Sequence, residues 1–227
     1  MYQYPLTFSF PAFSVSPKIT VKDANGATIL TAAKKLISSK EEIPVTANGQ
    51  PAYTIISQEN RITDIPSNWD IKNPDGSTLG VVANDFLSAI DTSKFISNST
   101  QAMLVSRTIH KTFNLRSVKM YWINNTQGKH LGLVAPDQNS LIAMQLPFSH
   151  VIRQLPGLLF RLITPSYYIR LGDETMLFMQ KKRTFFVDTY TLEARGKFSD
   201  ADEPLLINSV LLALIYERQR LKDLYSN

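Results

Sequence analysis

Cysteine is absent from the 227 residues, which excludes disulfides and Cys-ligated zinc and removes the usual redox clue to compartment. Glycine is scarce. The chain holds 9 in 227, about 4% against an average of about 7%, which argues against propeller blades with their periodic glycine motifs. No stretch reaches the ~18 uninterrupted apolar residues of a membrane-spanning helix. The opening Met1-Tyr2-Gln3-Tyr4-Pro5 lacks the positive and apolar regions of a secretion signal. The expected location is therefore cytoplasmic, and the sequons at Asn98 and Asn124 read as chance. Also missing are a Gly-x-Ser-x-Gly elbow, a phosphate-cradling glycine loop and a His-Glu-x-x-His pair. His110, His130 and His150 are spaced too widely to act as ligands from one element. The expectation is a non-enzyme with no cofactor.

Hydrophobic residues make up 44% of the chain and charged ones 19%, ordinary material for a buried core. The formal charge is +5 and the pI near 9.3, a modest bias toward anionic surfaces. Cations occur only in short clusters, without the aromatic-laced basic stripes of nucleic-acid binders, so nucleic acid is disfavoured as a partner. Most of the chain alternates in the manner of short strands. Tyr2, Tyr4, Leu6, Phe8 and Phe10 share one parity, which puts them on one face. Ile19-Thr20-Val21 and Thr28-Ile29-Leu30 flank an Asp23-Ala24-Asn25-Gly26 turn, a hairpin pattern. The hairpin at 69–82, around Asn73-Pro74-Asp75-Gly76, is echoed at 121–134, with Trp69, Ile71, Asn73, Gly76, Leu79, Gly80 and Val82 matched by Tyr121, Ile123, Asn125, Gly128, Leu131, Gly132 and Val134. An antiparallel meander repeats its turn chemistry in this way. Further strands are expected at 167–171 and 175–179, joined by Gly172-Asp173-Glu174, and at 185–187. Residues 29–40 and 92–116 read ambiguously.

One helix is plain. Asp200, Asp202 and Glu203 supply capping oxygens and negative charge at its start, Pro204 suits a first turn, and Arg218, Arg220 and Lys222 lie near its end. Residues 205–216 have no polar face at 3.6 residues per turn, so this helix must be buried on all sides. Twelve residues span roughly 18 Å, short of the ~30 Å of a bilayer core. A sheet closed around the helix is the simplest enclosure, with Leu211 and Leu214 at its centre.

At this point the chain resembles the tubby C-terminal-like superfamily, in its LURP-one-related and phospholipid-scramblase-like branch. The resemblance rests on Tyr4-Pro5-Leu6-Thr7-Phe8-Ser9-Phe10, on Ile19-x-Val21-x-Asp23-x-x-Gly26, on Arg61-Ile62-x-Asp64, on the 69–82 hairpin, on Thr164-Pro165-Ser166-Tyr167-Tyr168-Ile169, and on the apolar run ending Tyr216-Glu217-Arg218-Gln219-Arg220. It implies a mainly β fold, a closed antiparallel barrel of about twelve strands enclosing an apolar C-terminal helix at 203–224, in one domain over 1–227. Residues 83–116 read as an extension relative to that family, and Ala83 and Asn84 stand where it tends to carry a basic residue. The resemblance also implies a non-enzymatic binding module for anionic, phosphoinositide-like headgroups, peripheral to a membrane. The alternative is a structural or protein-interaction scaffold without a small ligand.

For a headgroup the candidates are Lys181, Lys182 and Arg183, expected together at a hairpin tip as donors to phosphate. Lys34, Lys35 and Arg61 would complete the patch. An ordinary solvated turn accounts for the same residues. Asp200, Asp202 and Glu203 stand where scramblase-like proteins are thought to carry a calcium-binding segment; three carboxylates are suitable oxygen ligands, but capping explains all three.

Overall fold

A computed structural model of the chain describes residues 1–11, 18–35, 38–60, 68–84, 120–137, 140, 166–182 and 187–225. The inward row of the first strand sets the pattern for the rest. In β1 (Leu6–Phe10) the even residues Leu6, Phe8 and Phe10 are buried and the odd ones half-exposed, as the alternating sequence requires. The same alternation runs through β2 (Lys18–Lys22), β3 (Thr28–Ala33), β4 (Lys40–Ala47) and β6 (Asn68–Lys72). It recurs in β7 (Thr78–Asn84), β8 (Tyr121–Asn124) and β12 (Asp188–Ala194). With β5 (Gln50–Asn60), β9 (His130–Pro136), β10 (Ser166–Leu171) and β11 (Glu174–Lys182), these form one closed antiparallel barrel of twelve strands. Each strand pairs with its sequence neighbour, and β1 closes the ring on β12 through Leu6↔Leu192 and Phe10↔Asp188. Closure removes every exposed sheet edge.

The inward rows meet on the C-terminal helix α1 (Glu203–Tyr225). Leu206, Ile207, Val210, Leu211, Leu212 and Ile215 are fully buried, and Leu205, Ala213, Leu214 and Tyr216 nearly so. The helix is thus enclosed around its whole circumference. Two polar residues in this stretch bond back to their own helix: Asn208 Nδ2 to the Pro204 carbonyl at 2.8 Å and Ser209 Oγ to that of Leu205 at 2.7 Å. No helix among the described residues is long and apolar enough to cross a membrane.

The two ends of the barrel differ. Five connections at one end are tight turns in which Gly26, Gly49, Gly76, Gly128 and Gly172 adopt positive φ; there the helix begins. At the other end, where the helix leaves, the strands are joined through residues 11–17, 34–39, 61–67, 85–120, 137–165 and 183–187. Of the extension expected at 83–116, only Ala83 and Asn84, in β7, lie within the described residues. Of the strand expected at 185–187, residues 185 and 186 lie outside the described residues, and Val187 immediately precedes β12, which begins at Asp188.

Candidate functional site

Strand alternation decides where the candidate cations go. Lys34 follows β3 on the parity of the inward Leu30 and Ala32, and its side chain is buried. There it pairs with the buried Glu41 of β4, donates to Gln219 Oε1 at 2.9 Å and lies 5.2 Å from the centre of the Tyr216 ring. Tyr216 Oη donates to the other oxygen of Glu41. Lys35, one residue on, points outward and pairs with Glu42 at 2.6 Å. The two ion pairs sit on opposite faces of the same strand junction, with the Lys35 amide donating to the Glu42 carbonyl between them.

The same division corrects the expected hairpin tip. Lys181 and Lys182 belong to β11 and leave it on opposite faces. Lys181 is only 5% exposed; its Nζ lies 3.0 Å from Asp188 Oδ1 and 5.9 Å from the Tyr190 ring. Lys182 is exposed. Lys181 and Lys34 therefore do not project to solvent with their neighbours, because a run of lysines in a strand cannot share a face. Arg183 and Arg61 lie outside the described residues. On the helix Arg218 is buried, donating to the Pro11 carbonyl at 2.8 Å with its guanidinium 4.6 Å from the Phe10 ring. Inside, the helix-exit mouth thus holds the Lys34–Glu41 and Lys181–Asp188 pairs and the carbonyl-bound Arg218.

Outside, the same mouth carries exposed lysines. Lys18 begins β2, Lys35 follows β3, Lys40 begins β4 and Lys182 ends β11. From β11 through β12, β1, β2 and β3 to β4 is five strand steps, about 24 Å of rim at ~4.8 Å per step. The described acids at this end, Glu41, Glu42, Glu59, Asp137, Asp188 and Glu217, are buried or half-buried. The turn end mixes exposed Asp75, Asp173, Glu174 and Asp200 with Lys22 and Lys129. Lys18 and Lys40 were absent from the expected site. They escape notice because each stands alone in sequence and joins the others only once the barrel closes.

The three carboxylates proposed for calcium serve separate partners at the turn end. Asp200 is exposed, 3.4 Å from the Met1 amino group. Asp202 takes the N-cap position: its carbonyl accepts the Leu206 N–H, its amide donates to Ser199 Oγ at 3.1 Å, and its carboxylate accepts from that hydroxyl at 2.6 Å. Glu203 is buried and accepts from the Tyr2 amide at 3.0 Å and from Tyr4 Oη at 3.1 Å. Burial, then the charge and hydrogen bond of Glu203, push the Tyr4 phenol well up. Burial, then Tyr53 and Glu203, push Tyr2 up to about 12. Among the described residues no group of three or more His, Asp or Glu side chains converges for a metal ion. His130, outward on β9, packs edge-on against Trp122 with centroids 4.6 Å apart, and burial lowers its pKa. His110 and His150 lie outside the described residues. Compared with protein-family models and with curated proteins, the chain matches none.

Proposed function

We propose that the protein is a non-catalytic binding module whose working face is the helix-exit mouth, and that its ligand is an anionic, phosphoinositide-like lipid headgroup at a membrane surface. The observation that carries this reading is the rim of Lys18, Lys35, Lys40 and Lys182, exposed at one end of the barrel with no exposed acid among its described neighbours. A lysine near an anionic leaflet contributes about 1 kcal/mol; with the charge of Lys35 offset by Glu42, Lys18, Lys40 and Lys182 give about 3 kcal/mol, weaker than millimolar by themselves. Binding through this rim is therefore weak, additive and steeply dependent on salt. The cations lie along an arc rather than converging on one phosphate, which suits a charged surface better than a single soluble anion.

The competing reading is a protein-interaction scaffold working from the same end. It draws support from Lys34 and Lys181, whose charges are taken up by Glu41 and Asp188 inside the barrel. Co-sedimentation with liposomes separates the two. Wild-type protein should bind vesicles containing phosphatidylinositol bisphosphate at low salt, ignore pure phosphatidylcholine, and release as salt is raised. The triple variant Lys18→Glu, Lys40→Glu, Lys182→Glu leaves the Lys35–Glu42 pair intact and should abolish binding while melting normally. Failure of the wild type to bind any anionic vesicle would hand the mouth to a protein partner, and unchanged binding by the folded triple variant would clear the lysine rim of the role.

A further inference from the structure

Asn84 ends the inward row of β7, after Gly80 and Val82, at the helix-exit mouth. It is 5% exposed, and neither its amide nitrogen nor its amide oxygen has a hydrogen-bond partner. Tyr121 of β8 stands directly opposite it. Trp69 of β6 pairs with Val82, which makes it the diagonal neighbour of Asn84, roughly 7–8 Å away along the sheet. Trp69 is fully buried, and its Nε1–H is likewise unpartnered. The helix supplies the inner wall, with the Tyr216 ring 5.0 Å from that of Trp69 and 6.5 Å from that of Tyr121.

A buried amide or indole N–H without a partner costs roughly 1–3 kcal/mol, and an apolar side chain would avoid the cost. Here two such donors and one acceptor occur on neighbouring strands in one aromatic corner. Thr191 Oγ1 and Asn208 Oδ1, by contrast, are each a single unpartnered atom on its residue. Unsatisfied groups gathered in this way are what a binding site leaves when its ligand is not counted. The chemistry of the corner narrows the ligand. The adjacent charges, Lys34 and Glu41, neutralise each other, so no counter-charge awaits an ion. A carboxylate would satisfy the two donors but turn an acceptor toward Asn84 Oδ1.

We propose that this corner binds a small, uncharged, planar ligand of the carboxamide class. The ligand's carbonyl oxygen accepts from Trp69 Nε1–H and Asn84 Nδ2–H, its N–H donates to Asn84 Oδ1, and the Tyr121 and Tyr216 rings border the corner. The site lies inside the mouth and does not depend on the lysine rim. With two tryptophans in the chain, Trp122→Phe assigns the Trp69 indole resonance in a nitrogen–proton correlation spectrum. Titration with nicotinamide should shift that resonance and the Asn84 side-chain amide pair saturably, whereas nicotinic acid at neutral pH should leave both in place. Asn84→Leu should weaken the response at least tenfold. Trp69→Phe, which keeps the ring against Tyr216, should weaken nicotinamide's effect on the Asn84 amide and carries the comparison if the leucine variant does not fold. No saturable shift, equal response to the acid, or unchanged affinity in the folded variants would overturn the proposal.

Discussion

Adjacent lysines in a strand leave the backbone on opposite sides, and the two Lys-Lys steps of this barrel divide their charges between water and core. Lys34 is held by Glu41, Gln219 and the Tyr216 ring, whereas Lys35 meets Glu42 at the surface. An exposed pair contributes about 0–1 kcal/mol. Removing one member of a buried pair strands the other and costs about 3–5 kcal/mol. Glu41→Gln should therefore lower the urea midpoint by an amount equivalent to about 3–5 kcal/mol, while Glu42→Gln should barely move it. The double variant Lys34→Met, Glu41→Leu should recover at least half of the loss, since neither partner is then left charged in the core. Equal effects of the two single variants, read from midpoints at constant slope, would contradict the assignment of inner and outer pairs. The division was legible in part. Lys34 shares parity with Ala32, and Lys181 with Leu177 and Met179, but a reading that counts charge along the chain, without assigning faces, sees only a cluster.

Among the elements, α1 was the most legible, because an all-apolar helix too short for a bilayer has one kind of environment open to it. The repeated hairpins were legible as well, and the structure adds a reason for their Leu-Gly-x-Val half. Gly80 of β7 faces inward, where a Cβ would lie 2.8 Å from both the Asn124 carbonyl and Leu205 Cδ1. Its counterpart Gly132 would press a Cβ into the Arg170 backbone. The glycines thus mark places where the strand runs too close to a neighbour for any side chain, the first of them against the helix itself. Gly80→Ala should cost about 1–3 kcal/mol by overpacking, visible as a lower melting temperature. The variant Gly80→Ala, Leu205→Ala should recover part of the loss if the helix is what it strikes. The β4–β5 hairpin went unread despite the Asn48-Gly49 turn, whose φ values of 51° and 79° suit a two-residue hairpin loop. Its first strand hides the pattern, since Glu41 stands in the inward row and Pro44 in the outward one.

At the scale of the whole molecule, the start of the chain and the start of the helix are fastened together at Glu203, which takes hydrogen bonds from Tyr2 and Tyr4. Both phenols, and that of Tyr53, are held above their ordinary value of 10.0, with burial the largest cause. The unfolded chain releases these protons near pH 10, whereas the folded one still holds them, Tyr2 up to about 12. The folded state then binds more protons, so stability falls as pH rises. The melting temperature should decline from pH 10 toward 12, and Tyr4→Phe should flatten that decline; an equally steep fall in the variant would rule out the clasp as its source. Such long-range closure was invisible to any local pattern, as was the pairing of β1 with β12. The order of these parts along the chain has a further consequence during synthesis. Leu6 waits for Leu192, and all twelve strands wait for a plug that the ribosome makes after them. Local hairpins can pair earlier, but the barrel cannot close around its helix until the chain has been made through Tyr216, and until then its inward apolar rows have no core to cover them and are open to aggregation.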